Sequence, residues 1–483
     1  MADLGIDATV EALLAPVASA VSGFVFYAVP IGDNELPLIV LWLAAAAVYF
    51  TVYLRFINFR ALWLALRHVR GDFSDPEAKG EISHFKAVAT AVSGTVGVGN
   101  IGGVAVAISL GGPGAAFWLL IAGVLSMSTK LVECTLGVKY RRHNPDGSVS
   151  GGPMYYLEHW FQHRQWPGLG RFMGCFYALA LVIAGFGIGN MFQANQAYTQ
   201  FLVITGGDAS WLSERGWFFG LALAIVVALV VIGGIRSIAK VTVVLVPFMA
   251  SLYIISAVIV IGLSAEHIPG ALQAVMQGAF TREGATGGAL GAMVIGFQRA
   301  LFSNEAGLGS ASIAHSAVQT DEPASEGITA LLEPFIDTVI ILSLSSLVIL
   351  TSAIPNGLMG TEVAGIELTS AAFAVHFDFA PYVIAVAALL FAFSSLLAWS
   401  YYGLKGWTYL FGESRAGQLC FQFLFCSFIV IGCMLQLKAV LDFSDAMIFV
   451  IAIPNLIALY LFAPEVKADV TQYIQKLRSD ARY

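Results

Sequence analysis

This sequence has few charged residues and few of the residues that mark soluble or secreted proteins. Only 11% of its 483 residues are charged, whereas soluble domains carry roughly a quarter. The 24 basic residues are outnumbered by 31 acidic ones, so a basic footprint for nucleic-acid phosphates is lacking and nucleic acid is excluded as a partner. The five cysteines show no metal-ligand spacing, and no nucleotide-binding or hydrolase motif occurs. We therefore expect neither an enzyme nor an organic cofactor.

Apolar residues, in contrast, are abundant: they make up 58% of the chain, and the mean hydropathy is +0.80. A membrane-spanning helix needs about 20 apolar residues. Spanning segments must be helical unless a barrel closes, and the alternation typical of a barrel is absent. The sequence predicts an all-α polytopic membrane protein with eleven transmembrane helices, at residues 36–55, 84–110, 115–138, 172–203, 216–235, 241–264, 290–314, 333–354, 381–403, 418–437 and 443–463.

The basic residues predict the orientation of these spans, because cytoplasmic loops are enriched in Lys and Arg. With the N-terminus outside, only Arg215, Arg282 and Lys438 fall on the outer side. Lys130 and Arg299 lie within spans, and all other basic residues fall on the cytoplasmic side. The C-terminus is then cytoplasmic. Two stretches, Thr9 to Pro30 and the one opened by Gly151 to Leu157, are expected to be helices at the membrane surface.

Two glycine-rich stretches predict breaks in transmembrane helices. Ser93 to Ala105 reads SGTVGVGNIGGVA, and Leu301 to Ala311 reads LFSNEAGLGSA. Glycine costs about 1 kcal/mol against alanine in a helix interior. Unwound backbone at membrane depth survives only where it is buried in protein or lines a cavity. There it frees carbonyls for a cation and amides for an anion.

The positions of the two breaks suggest an inverted repeat. Without the first span, the remaining ten divide into five and five, and each half begins with a broken helix. Breaks at matching positions of two halves indicate a transporter site at the repeat interface. We therefore expect an N-terminal unit at 1–83, a first repeat at 84–264, a second at 265–463 and a cytoplasmic tail at 464–483.

Several polar side chains lie within apolar spans. Ser394 and Ser395 suit a hard cation, although membrane serines also bond back to their own helix. Trp399 lies one turn later on the same face as Ser395. Gln193 and Asn195 either bind a polar substrate or bond between helices. Glu305, in the second break, is either a structural acceptor or an ion or proton site, and Arg299 either pairs with an acid or forms a gate.

At these residues the chain resembles the alanine or glycine:cation symporter family. The motifs that carry the resemblance occur in family order from the second span onward: SGTVGVGNIGGVA, GGPMYY, GIGNMFQAN, FSNEAGLGSA and FAFSSLLAWSYYG. The family is similar in fold to the leucine transporter, in which two inverted five-helix repeats have unwound first and sixth helices. An extra N-terminal helix fits the predicted count of one plus ten.

The resemblance implies Na⁺-driven uptake of alanine or glycine. It implies that one Na⁺ is held by the carbonyls of Ser93, Val96 and Phe391 and by the hydroxyls of Ser394 and Ser395. It implies that the amides near Val98 and Gly99 hold the substrate carboxylate. The rest of the substrate would then be surrounded by Thr95, Gln193, Phe302 and Trp399.

From these motifs we expect a multi-pass protein of a bacterial or archaeal cytoplasmic membrane. Its partners would be a small neutral amino acid and the lipid bilayer, with Na⁺ as the coupling ion, and it would work as a monomer. A proton-coupled amino-acid permease of the same fold is the alternative; its uptake would follow pH and not Na⁺.

Overall fold

The computed structural model describes residues 25–31, 34–75, 77–145, 147–281, 288–358 and 365–479, together with Pro16, Ala20, Ser22 and Gly23. Helices dominate these residues. They are α1 (Leu38–Tyr53), α2 (Ile57–Arg60), α3 (Leu62–Arg70), α4 (His84–Thr95), α5 (Gly102–Gly111), α6 (Gly114–Lys139), α7 (Pro153–His163), α8 (Pro167–Thr205), α9 (Gly216–Val231), α10 (Gly234–Leu263), α11 (Ile268–Phe280), α12 (Gly288–Asn304), α13 (Ala311–His315), α14 (Pro323–Ala353), α15 (Ile366–Ala374), α16 (Ala380–Phe411), α17 (Arg415–Met434) and α18 (Leu437–Ser479).

Two short antiparallel hairpins also occur in the described residues. β1 (Ala28–Ile31) pairs with β2 (Asn34–Pro37), and β3 (Arg142–His143) pairs with β4 (Val149–Ser150). The surface helix expected at 9–30 lies mostly outside the described residues. Within it, the described residues Pro16, Ala20, Ser22, Gly23 and Val25 are helical. At its end the prediction is wrong, because Ala28–Ile31 forms β1. Proline restricts the backbone and lacks an amide donor, so Pro30 disfavours continuation of a helix.

All eleven predicted spans fall on helices, but not all of these helices are long. By length and composition, seven helices of the described chain can cross a membrane, and the bent pair α4 and α5 adds an eighth. α1 and α9 have 16 residues each, which gives about 24 Å at 1.5 Å per residue. The count of eleven spans and the five-plus-five repeat stay predictions.

The last helix extends beyond its predicted span. α18 continues through the segment expected to be a tail and ends at Ser479. Its Tyr473 is buried, and the Tyr473 hydroxyl lies 2.6 Å from His68 Nε2 of α3. The predicted tail is therefore a helical extension that packs against the region just before α4.

Large apolar side chains are exposed on the outer helices. Leu229 of α9, Val244 of α10 and Phe423 of α17 are 75%, 70% and 73% exposed. Many large apolar side chains exposed on outer helices are typical of a membrane or protein interface. Together with the apolar length of the helices, it identifies lipid as the surrounding medium.

Both predicted helix breaks are confirmed. α4 ends at Thr95, a 3₁₀ turn follows at Val98–Asn100, and the two helical parts meet at 61°. α12 ends at Asn304 and α13 begins at Ala311. Between them Glu305, Gly307 and Gly309 have φ of 56°, 91° and 83°, the left-handed region that glycine tolerates.

Close helix contacts rely on small residues, which suits packing in lipid. Where α11 crosses α6, a Cβ built on Gly278 would lie 2.7 Å from the Gly114 nitrogen. We expect Gly278→Ala to destabilise the protein, since overpacking costs roughly 1–3 kcal/mol and exceeds the gain of about 1 kcal/mol in helix propensity. Thermal unfolding in detergent measures the change.

Gly270→Ala is the matched control on the same helix, because a Cβ at Gly270 meets nothing within 4 Å. Its melting temperature should stay at or slightly above that of the wild type. Equal melting temperatures for both variants would show that the α6–α11 contact is not tight.

Candidate functional site

The two helix breaks, the middle of α16 and the middle of α8 enclose a polar region within the apolar core. Thr95, Gln193 and Phe302 are at most 5% exposed, and Trp399 and Ser395 are fully buried. These side chains are thus shielded from solvent.

The hydroxyl of Ser394 connects the first break to α16. Ser394 Oγ donates to the Phe391 carbonyl at 2.9 Å and to the Ser93 carbonyl at 3.3 Å. Three of the five predicted Na⁺ ligands therefore meet at one hydrogen-bonded point. Val96, the fourth, is fully buried at the end of α4.

Ser395 faces the unwound backbone directly. A Cβ built on Gly97 would lie 2.7 Å from Ser395 Oγ, so glycine is needed there for close approach. The Ser395 hydroxyl is buried and lacks a hydrogen-bond partner among the described residues. A buried hydroxyl without a partner costs roughly 1–3 kcal/mol, which an oxygen-seeking cation would offset.

Gln193 contacts the same break from α8. Its Oε1 accepts from the Val98 amide at 3.0 Å, and its Nε2 donates to the Ile188 carbonyl at 3.1 Å. Asn100 Oδ1 accepts from the Gly97 amide at 3.0 Å. The first break thus offers amides that already bind side-chain oxygens.

Aromatic rings bound the region near Gly99. A Cβ built on Gly99 would lie 3.8 Å from Phe302 and 3.9 Å from Phe192, and these two rings meet edge to face at 5.7 Å. The Arg299 guanidinium lies over Phe302 at 5.5 Å and pairs with Asp445 of α18 at 2.5 Å. Of the two roles left open for Arg299, the ion pair is therefore observed.

Trp399 lies between the second break and α8. Its Nε1 donates to Glu305 Oε1 at 3.1 Å, and Ser310 Oγ donates to Glu305 Oε2 at 2.5 Å. The ring packs on Gly189, where a built Cβ would overlap it at 2.0 Å. Gly189 belongs to a π-helical turn at Gly187–Met191, a feature common at functional sites. The Glu305 carboxylate thus accepts two side-chain hydrogen bonds, and both roles expected for it stay predictions.

Two predicted substrate residues donate hydrogen bonds to backbone carbonyls. Asn195 Nδ2 donates to the Gly432 and Leu435 carbonyls at 3.1 and 2.6 Å, and its Oδ1 accepts from Gln196. Its polar atoms therefore hold α8 to the end of α17. The Thr95 hydroxyl points back to Ala91 and Val92 at 3.5 and 3.4 Å.

The free backbone groups of the second break hydrogen-bond to side chains from distant helices, and no sequence motif identified these side chains. Glu133 Oε1 accepts from the Gly309 amide at 3.1 Å. Asn455 Nδ2 donates to the Gly307 carbonyl at 2.9 Å, and the Tyr177 hydroxyl donates to the Leu308 carbonyl at 2.8 Å. The one sequence signal for Glu133 is an acidic side chain within an apolar span.

Asp337 of α14 is a second acid whose partners only the structure shows. It is fully buried. Asn100 Nδ2 and Thr338 Oγ1 donate to its carboxylate at 2.6 and 2.7 Å, and Ser303 Oγ donates at 3.0 Å. It therefore ties the first break to the end of α12.

The sequence matches the model of the sodium:alanine symporter family over residues 30–482. The sodium/alanine symporter AgcS of Methanococcus maripaludis is 34% identical, over 92% of this chain and 96% of AgcS. The probable sodium/glutamine symporter GlnT of Bacillus subtilis is 32% identical, over 92% and 89%.

The putative sodium/proton-dependent alanine carrier protein YrbD of Bacillus subtilis is 28% identical, over 86% of this chain and 85% of its own. Among solved structures, MhsT in complex with L-phenylalanine superposes with a TM-score of 0.58 at 16% identity, over 81% of this chain and 93% of MhsT. This likeness shows the leucine-transporter fold. The chain therefore belongs to the sodium:alanine symporter family and is a multi-pass, cation-coupled amino-acid symporter, not an enzyme.

Proposed function

We propose that this protein couples inward movement of Na⁺ to uptake of a small neutral amino acid, alanine or glycine, by alternating access. The observation that carries the proposal is the oxygen cluster between the first break and α16. Ser394 Oγ joins the Ser93 and Phe391 carbonyls, and the buried Ser395 hydroxyl beside them lacks a partner in the described chain. Oxygen atoms alone form this cluster, as a hard cation prefers.

The substrate would bind next to this cation at the first break. Gln193 Oε1 on the Val98 amide marks the place where a substrate carboxylate oxygen would lie. Amides at the start of a helical segment favour a negative charge. On binding, the carboxylate would replace Gln193 there, with Gly99 close by, and Gln193 would turn to the amino group.

Aromatic walls limit the substrate to a small side chain. Phe302 and Phe192 close the space over Gly99, and Trp399 closes it toward the second break. The name of AgcS, a sodium/alanine symporter, supports alanine as the substrate. The name of GlnT, a probable sodium/glutamine symporter, supports glutamine, whose side chain is larger and carries an amide. The crowding of the rings favours the smaller substrate.

The Na⁺ ligands from α4 and α16 would join the first break to a neighbouring helix, so that Na⁺ pre-forms the pocket. Moving one positive charge inward through about 100 mV yields about 2.3 kcal/mol. At about 1.4 kcal/mol per decade, the potential alone supports roughly fortyfold accumulation. The Arg299–Asp445 pair over Phe302 would close the outer side.

In the same proposal the protein lies in a cytoplasmic membrane with its N-terminus outside and its C-terminus inside, and a monomer is the working unit. Replacing Na⁺ by choline and then applying a pH step to proteoliposomes separates Na⁺ coupling from the proton-coupled alternative. Uptake that persists in choline and follows the pH step would favour a proton-coupled permease.

Ser394→Ala combined with Ser395→Ala should abolish Na⁺-dependent alanine uptake, because both hydroxyl ligands are lost. Labelled alanine uptake into proteoliposomes, with Na⁺ or choline outside, measures the loss. The matched control is Ser400→Ala on the same helix, where Ser400 Oγ bonds back to the Leu397 carbonyl at 2.7 Å. Wild-type uptake by the double variant would disprove the cation site.

Trp399→Ala should admit bulkier neutral amino acids, since it removes the wall beside the second break. Competition of labelled alanine uptake by leucine and phenylalanine measures the change in selectivity. Trp399→Phe is the matched control, because it loses the bond to Glu305 but keeps an aromatic ring. If both variants keep the wild-type selectivity, Trp399 does not line the pocket.

A further inference from the structure

Ionisable side chains are buried together on the side of the site where α4 begins. They come from four helices, and none is exposed by more than 4%: His84 of α4, Lys130 and Glu133 of α6, His315 of α13, and Glu326 and Glu333 of α14. Buried charges are expensive unless they are paired, and at membrane depth they indicate function. The transport site described above uses only Glu133 among them, as a backbone acceptor.

These six side chains, here called the buried charge network, form one continuous chain of contacts. Glu326 is bound on both sides by histidine: His84 Nδ1 contacts its Oε2, and His315 Nδ1 lies 2.5 Å from its Oε1. His315 Nε2 lies 3.5 Å from Glu333 Oε2, and Lys130 Nζ lies 3.2 Å from Glu333 Oε1. The chain of contacts therefore runs from the base of α4 toward the second break.

At the far end of the network, the Lys130 ammonium group faces two carboxylates, those of Glu133 and Glu333. Lys130 Nζ also lies 4.0 Å from Glu133 Oε2. Lys130 Nζ, Glu133 Oε2, both Glu333 oxygens and His315 Nε2 are buried without a hydrogen bond to the described residues. These groups are held by their opposite charges and not by fixed hydrogen-bond geometry.

Charge balance requires that the network holds protons. Three carboxylates face one lysine, so two further protons are needed for neutrality, whether the histidines or the carboxyl groups carry them. Unbalanced charge at this depth would cost several kcal/mol per ion. The closed structure is thus compatible with a network that has two exchangeable protons.

Contacts outside the network also hold α4 and α13 together. Just before α4, the Glu81 amide donates to Ala317 at 2.8 Å and the Ile82 carbonyl accepts from Gln319 at 2.7 Å. Arg141 donates to four carbonyls of the same two segments, Lys79, Ser316, Val318 and Thr320, at 2.5–2.8 Å. α4 and α13 are the parts of the broken helices on this side. Any path from the site to this side between α4 and α13 requires them to separate.

We propose that the buried charge network is a proton-binding site that latches this side of the transporter, with Glu326 held between His84 and His315 while the gate is closed. The proposal rests on the proposed function, since it assigns the release step of the same cycle. When α4 moves away, Glu326 loses His84, water enters and the network releases protons. Release to this side, cytoplasmic in the proposed orientation, is then controlled by the pH there.

Other charged groups around the latch are paired or more distant. The His84 ring lies 5.7 Å from His68, whose Nε2 bonds to Tyr473, and Arg67 beyond it pairs with Asp72. Glu305 is a further carboxylate near Lys130. Elsewhere on this side, the nearly buried Glu81 carboxylate faces Arg236, and Glu322 faces Lys476.

The direction of the pH effect follows from proton counting. The closed gate binds more protons than the open gate, so rising cytoplasmic pH favours opening. Each released proton changes the open-to-closed ratio by up to about tenfold per pH unit. Uptake limited by inward release should therefore accelerate as the internal pH rises through the range in which histidine titrates.

The test measures initial Na⁺-driven alanine uptake into right-side-out membrane vesicles at fixed external pH. The internal pH is varied from about 5.5 to about 8.5, the range in which histidine titrates. The wild-type rate should rise several-fold. In Glu326→Gln and in His315→Gln the rate should become independent of internal pH, because the latch has lost its charge pair.

His163→Gln is the matched control, since His163 is exposed at the end of α7 and outside the network; it should keep the wild-type pH profile. Na⁺-dependent stabilisation by alanine in detergent shows that each variant is folded. If Glu326→Gln fails this check, the internal-pH profile of His84→Gln, which leaves the His315 pair intact, is used in its place.

Wild-type uptake that is driven by Na⁺ but insensitive to internal pH would overturn the latch alone, as would folded variants with the wild-type profile. Uptake without Na⁺ dependence would instead overturn the proposed function.

Discussion

The structure depends on one constraint: backbone groups that a broken helix leaves free inside a membrane must find partners in the protein. Two helices break at membrane depth, and lipid offers no hydrogen bonds there. At the first break the Gly97 and Val98 amides bind Asn100 and Gln193. At the second, Glu133, Asn455 and Tyr177 bind Gly309, Gly307 and Leu308. The first break thus depends on Asn100 and on Gln193 of α8, and the second depends on α6, α8 and α18.

The two breaks differ in how their partners are supplied. The second is held by an acid, an amide and a phenol from three other helices, so its conformation is largely fixed. The first is held by Gln193, which a substrate carboxylate could replace, and it lies beside the unpartnered Ser395 hydroxyl. This difference explains why we assign binding to the first break and a supporting role to the second. The buried charge network then extends from the second break toward the surface, where a gate is needed.

Much of the fold could be predicted because its signals are local. Glycine density predicted both breaks, and apolar length predicted the helices. Ser93 and Ser394 were expected from motif resemblance to hold one Na⁺; Ser394 Oγ donates to the Ser93 carbonyl at 3.3 Å, and the Na⁺ role stays a prediction. Asn195 and Thr95 were expected to contact the substrate. The amide of an asparagine in an apolar helix can hydrogen-bond to a substrate or to a neighbouring helix equally well, and a threonine hydroxyl can also bond back to its own helix. Only the position of α17 decides that Asn195 binds the Gly432 and Leu435 carbonyls.

The sequence by itself determined the membrane class, the family and the places where helices break, because hydropathy and glycine act on the backbone locally. The tertiary structure decided which polar groups meet. Glu326 is bound by His84, 242 residues away in sequence, and Glu133 caps a break 176 residues away. Such pairs have no local signature, since the energy that fixes them arises only when packed helices exclude water from both partners.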